Sequence, residues 1–178
     1  IMSDNMDTDN EIVQGFNLFM GKALCGTCHY VPGFGGIKAP FISNEFEVVG
    51  VPQDTGFSQV SRDSGRFAQI MDGAALFSFR TPTLRNVAKT KPYMHNGIFH
   101  TLEEVIEFYN DGGGNGRGLN LANQTLMSEK LNLTALEKRN IIHFLESLSE
   151  DIGYETVPAT LPTSSNKKIN KRYVGGVY

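Results

Sequence analysis

The sequence predicts a mostly α domain whose helices are joined by long loops and followed by an extended C-terminal tail. Three observations carry that expectation. Apolar residues recur at helical spacing in three stretches, two of these stretches open with a Thr-x-x-Glu capping box, and the remaining segments are rich in Gly, Pro and polar residues. At 178 residues, 40% hydrophobic and 20% charged, the chain is long enough for one domain with a real core. Its net charge of −3 gives no electrostatic case for nucleic acid, and no apolar run approaches the length needed to cross a bilayer.

Residues 1–10 are polar and form a loose N-terminal segment. From Glu11 to Leu24 the residues Ile12, Val13, Phe16, Phe19, Met20 and Leu24 recur at helical spacing, so a helix leads directly into Cys25-Gly26-Thr27-Cys28-His29. That run has the Cys-x-x-Cys-His spacing of c-type haem attachment. Two thiols at this separation can add across the two vinyl groups of one porphyrin, and the next residue then offers an imidazole to the iron. The expected fold is therefore a cytochrome c-like haem domain holding one covalent haem c through Cys25, Cys28 and His29. A thioredoxin-like dithiol needs a βαβ setting that the preceding helix does not supply. A structural zinc site wants four ligands, and the chain has only two cysteines. A disulfide staple leaves His29 unexplained.

Residues 30–66 read as irregular loop around Gly33, Gly35, Gly36, Pro32, Pro40 and Pro52. Thr101-Leu-Glu-Glu104 is a capping box opening a helix with Leu102, Val105, Ile106 and Tyr109 on one face, which ends before Asp111-Gly-Gly-Gly. A second box, Thr134-Ala-Leu-Glu137, opens a longer helix with an apolar side of Leu136, Ile141, Phe144, Leu145 and Leu148. The glycine-rich loop between them, Gly112 to Gly118, is no calcium loop, because its twelfth position is Ala122 where a bidentate glutamate is needed. After Gly153 the chain contains Pro and Ser and then turns basic at Lys167, Lys168, Lys171 and Arg172, which reads as a solvated tail. The domain boundaries are thus 1–10, 11–153 and 154–178.

Haem iron bound by His29 has a second axial position, and residue type alone leaves Met94, His95, His100, Tyr109, Met127 and His143 open for it. Taken by itself, a tyrosine on the apolar face of a short helix is a core residue with its hydroxyl satisfied.

The runs Phe79-Arg-Thr-Pro-Thr-Leu-Arg-Asn-Val87, Thr90-Lys-Pro-Tyr-Met-His-Asn-Gly97 and Thr101-Leu-Glu-Glu104 resemble the C-terminal haem domain of bacterial di-haem cytochrome c peroxidases and of the related di-haem enzymes that mature a tryptophan-derived quinone. The likeness extends over residues 15–150 in order and spacing, with His95-Asn96-Gly97 standing where the family has His-Asp-Gly. It implies that the distal ligand lies fourteen residues beyond His95, at Tyr109, the tyrosine-ligated variant of the family. A phenolate there is a hard anion that favours ferric iron, and metal coordination depresses the phenol pKa. Met94 as ligand would instead give a high-potential relay. Arg80 and Arg85 flank the Pro82 turn and suit the haem propionates or a surface ion pair, and His95 suits a place beside the haem. The resemblance further implies a calcium ion between two haem domains, held in part by the backbone carbonyls of Thr90 and Pro92, on a surface that is apolar because it is built to be covered.

The partners implied are an N-terminal peroxidatic haem domain, which a second Cys-x-x-Cys-His would mark and this sequence lacks, and a small electron-donor protein. The chain has no tryptophan, whereas the family has one between its haems. The expected role is the electron-input half of an enzyme that reduces hydrogen peroxide. The alternatives are a stand-alone mono-haem electron carrier and a haem subunit of a larger complex. Covalent haem attachment of this kind is carried out outside the bacterial cytoplasm, so the expected location is periplasmic or exported to the cell surface. The opening Ile1-Met2-Ser3-Asp4, with no charged and apolar leader pattern, reads as a mature or trimmed product.

Overall fold

The computed structural model describes residues 9–38, 45–150 and 163–165. The first expected helix forms as α1 (Glu11–Met20), started by Asn10, whose side-chain oxygen accepts the Ile12 amide at 2.9 Å. It stops at Met20 rather than Leu24. Gly21 donates its amide to the Asn17 carbonyl and leaves helical geometry, and Leu24 sits left-handed at φ 57°.

Two short strands and a short helix follow before the next long helix. β1 (Phe46–Glu47) pairs antiparallel with β2 (Phe79–Arg80), in the register Phe46↔Arg80 and Glu47↔Phe79. No residue pattern signals this sheet, because two-residue strands are too short to show alternation. Between them lies α2 (Phe67–Ile70).

Both capping boxes form as expected. In α3 (Leu102–Asn110) the Thr101 hydroxyl accepts the Glu104 amide at 3.2 Å and the Glu104 carboxylate accepts the Thr101 amide at 3.0 Å. In α5 (Ala135–Ser147) the same exchange joins Thr134 and Glu137, at 3.2 and 2.7 Å. One expected core position is corrected: Leu136 is 55% exposed, because α5 turns Asn140, Ile141, Phe144 and Leu145 inward instead.

α1 packs on α5, and they meet most closely at Gly15. A Cβ there would lie 1.9 Å from the Asn140 carbonyl oxygen, so only glycine allows the approach. Phe19, Ile141, Phe144 and Leu145 form the core with Leu102 and Ile106 of α3. The rings of Phe16, Phe19, Phe34 and Phe144 meet edge to face at 5.2–5.9 Å.

The glycine-rich loop contains α4 (Gly113–Gly116) and is held by close backbone contact. A Cβ on Gly112 would lie 2.2 Å from the Ser128 carbonyl oxygen, and one on Gly114 would lie 2.4 Å from that of Gly50. Gln124 stitches these strands of chain together. Its side-chain amide donates to the carbonyls of Gly112 and Leu126 at 3.0 and 2.9 Å and accepts the Asn115 amide at 2.8 Å.

No helix among the described residues is long and apolar enough to cross a membrane. Residues 1–8, Pro40, and all of the expected C-terminal tail except residues 163–165 lie outside the described residues, its four basic residues included.

Candidate haem site

Past α1 the chain winds into a 3-10 turn, Cys25–Thr27, and the amides of Cys28 and His29 both donate to the Cys25 carbonyl, at 3.2 and 3.0 Å. This turn gathers both thiols and the imidazole on one short stretch of backbone. Gly26 is confined by Met20, whose sulfur would lie 2.7 Å from an added Cβ. Cys25 and Cys28 are free thiols. Burial pushes Cys25 up to about 12 and Cys28 up to about 11, with the carboxylates of Glu47 and Glu45 adding to the second shift. Both sulfurs are therefore protonated at neutral pH.

His29 points its Nδ1 at the Phe34 carbonyl, 3.0 Å away. The carbonyls of Phe34 and Pro82 both favour the protonated ring, and in the neutral ring Nδ1 keeps the proton toward Phe34 while Nε2 carries the lone pair. Burial lowers the pKa of the ring, which keeps it neutral and able to ligate a metal. Phe34 reaches this position at a left-handed φ of 48°.

Tyr109 comes from α3, beside the fully buried Phe108. Burial pushes its phenol well above the usual range, and Cys25, Cys28 and Glu47 are near enough to push it the same way. No hydrogen bond to its hydroxyl is found among the described residues. The two thiols and the phenol thus share one electrostatic neighbourhood. The other axial candidates are placed differently: Met127 is 55% exposed, His100 is exposed, and His143 Nδ1 lies 2.7 Å from the Glu11 carboxylate on the outside of α5. Met94 is half-buried at a left-handed φ of 67°.

His95 stacks on Phe79 with ring centroids 3.7 Å apart and planes within 6°, and its Nε2 lies 2.9 Å from the Ser61 hydroxyl. Asn96, where the family resemblance has aspartate, donates its side-chain amide to the Pro52 carbonyl at 2.8 Å and accepts the Ile98 amide at 3.2 Å. An aspartate could make only the second of these bonds. Arg80 is exposed, while Arg85 pairs with Glu150 at 2.7 Å and donates to the Pro32 carbonyl at 3.2 Å. Thr90 and Pro92 are exposed, and neither carbonyl accepts a backbone hydrogen bond among the described residues. The surface there is not the apolar patch expected. Large exposed apolar side chains gather instead at Ile12, Phe16, Met20 and Leu24, because Gly15 and Phe19 take the α5-facing side of α1.

Two site residues were not anticipated. Cys28 Sγ and one carboxylate oxygen from each of Glu45 and Glu47 all lie within 4.8 Å of one another, and the Tyr30 hydroxyl donates to Glu45 at 2.6 Å. Acidic residues two apart share one face of an extended chain, a signal visible only to a reader who already knows that β1 is a strand. Together, two free thiols, a neutral imidazole and a phenol with no hydrogen-bond partner among the described residues form a donor set that fits a covalently held haem.

No family model matches the chain. It is nevertheless similar to bacterial cytochrome-c peroxidases and MauG-like di-haem enzymes. In particular, it is 32% identical over 172 residues to the cytochrome-c peroxidase IdrP2 of Denitromonas iodatirespirans, a match covering 88% of this chain and 44% of that protein. It is 31% identical over 146 residues to the methylamine utilization protein MauG of Methylorubrum extorquens, covering 82% of this chain and 36% of that one. Among solved structures, a MauG-like protein associated with microbial copper homeostasis superposes with a TM-score of 0.62 at 30% identity, over 80% of this chain and 47% of its own. The chain spans less than half the length of these relatives.

Proposed function

We propose that this chain is a cytochrome c-like domain carrying one covalent haem c, and that it serves as the electron-transfer half of a di-haem cytochrome c peroxidase. Electrons would enter from a small redox protein and pass to a peroxidatic haem in a second domain, where hydrogen peroxide is reduced. Haem attachment of this type assigns the protein to the periplasm or the cell surface. One observation carries the reading: His29 donates Nδ1–H to the Phe34 carbonyl beside two free thiols, so its Nε2 is the nitrogen left for iron.

A bound haem supplies one-electron redox chemistry, and the protein's part is to fix and tune it. Cys25 and Cys28 anchor the ring by thioethers. His29, made more basic by its bond to Phe34, would hold the iron through Nε2. Tyr109 would supply the second ligand to the iron through its phenol oxygen, and the metal charge would lower a pKa that burial raises. Arg80 is the better placed of the two arginines for a propionate, since Arg85 is engaged by Glu150. His95, against Phe79 and Ser61, borders the site. The open carbonyls of Thr90 and Pro92 support a calcium ion shared with the second haem domain.

The test is mass spectrometry of the denatured chain, produced with a c-type haem maturation system. One haem should remain attached. Two free thiols and no porphyrin would sink the proposal. Tyr109→Phe should change the ferric spectrum and admit small exogenous ligands, and an unchanged spectrum would transfer the distal role to Met94. The isolated chain should turn peroxide over poorly with a reduced small cytochrome, because an iron held on both faces offers no open position.

A further inference from the structure

We propose that Glu47 is a positioning residue that keeps a negative charge against the haem edge and so biases the iron toward its ferric state. The inference rests on the covalent haem proposed at Cys25 and Cys28. A carboxylate oxygen of Glu47 lies within 4.8 Å of Cys28 Sγ. A thioether would set the porphyrin one covalent bond from that sulfur, so the carboxylate falls in the ring's immediate surroundings.

The backbone beneath this carboxylate is fixed from both sides. Glu47 pairs in register with Phe79, and Phe79 is clamped face to face with His95. The next residue, Val48, is 1% exposed, and its amide and carbonyl are both tied to Thr125, at 2.9 Å each. Among the described residues no Lys, Arg or His forms an ion pair with Glu47. Its neighbour Glu45 differs, because it accepts the Tyr30 hydroxyl at 2.6 Å and is turned toward that ring.

Ferric haem carries one more positive charge than ferrous haem. A fixed anion nearby therefore stabilises the ferric form, and does so more strongly in a half-buried site than in water.

The experiment is a spectroelectrochemical titration of the haem-loaded chain at one pH and ionic strength, with Glu47→Gln, Glu47→Asp and Glu45→Gln beside the wild type. Glu47→Gln should raise the midpoint potential, Glu47→Asp should stay near the wild type, and Glu45→Gln should move it less than Glu47→Gln. Should Glu47→Gln fail to fold, Glu47→Ser carries the same expectation. A haem-loaded neutral variant at the wild-type midpoint, or a larger shift from Glu45→Gln, overturns the role of Glu47 while leaving the covalent haem standing. A wild-type chain that attaches no haem overturns the proposed function itself, and the two failures are read by different measurements.

Discussion

The α1–α5 side and the side built from residues 45–50 and 112–128 are held by different forces. The first is a helix pair with one glycine crossing and a cluster of edge-to-face phenyl rings. The second has little regular structure and depends on polar side chains that satisfy the backbone and on glycines that let backbone touch backbone. Burial of apolar area can be repaired by small shifts, whereas a network of single hydrogen bonds cannot. The helical side should fail only where its packing is physically blocked, and the loop side should fail at individual amides.

The largest effect expected on this contrast is from Gly15→Ala, which drives a methyl into the Asn140 carbonyl and should cost about 3 kcal/mol. Chemical denaturation would measure it, with Gly33→Ala as the control, since nothing lies within 4 Å of a Cβ there. Next comes Gln124→Ala, which strands the Asn115 amide and the carbonyls of Gly112 and Leu126 and should cost about 2 kcal/mol. Faster amide exchange at Asn115, with helix α5 still protected, would confirm that the loop side opens on its own. Equal loss of protection on both sides would erase the distinction.

Thr134→Ala removes the cap of α5 and should cost about 1 kcal/mol, read as a lower midpoint of thermal unfolding. The smallest effect is on pH dependence. Burial lowers the pKa of His95, with Asp63 opposing, so the unfolded chain takes up a proton that the folded one resists. Stability from this group is present above its ordinary value of 6.5 and is lost as pH falls through its lower folded value. His95→Gln should flatten that acid limb, and an unchanged acid limb would place the proton uptake elsewhere.

The same contrast explains what could be read from the sequence. Periodicity and capping revealed α1, α3 and α5, because a helix writes its partners three and four residues apart. The Cys25–His29 run was equally plain, since its chemistry is local. Gly15 was missed because a glycine inside a helix looks like a weak helix former until a second backbone is seen against it. Phe34 acts through a carbonyl, which carries no side-chain signature. Glu47 reaches Cys28 only through the pairing of β1 with β2, nineteen residues beyond the thiol it adjoins. Gln124 works across the gap between Gly112 and Leu126, a span set by tertiary contact rather than by any repeat.

The end of α5 is fastened to the turn that precedes Thr90. Asn86 donates its amide to the Leu148 carbonyl and accepts the Glu150 amide on its side chain, Lys89 reaches the Glu150 carbonyl, and Arg85 grips the Glu150 carboxylate. Tension applied at Glu150 would therefore travel sideways into residues 85–89 before it could unzip the helix. The clasp acts as a strain relief: α5 is loaded in shear across several bonds rather than peeled from its end one bond at a time. A chain cut back to Ser147 would lose this anchorage, leaving the last turn of α5 open to fraying and protease entry while the Gly15 crossing stayed closed.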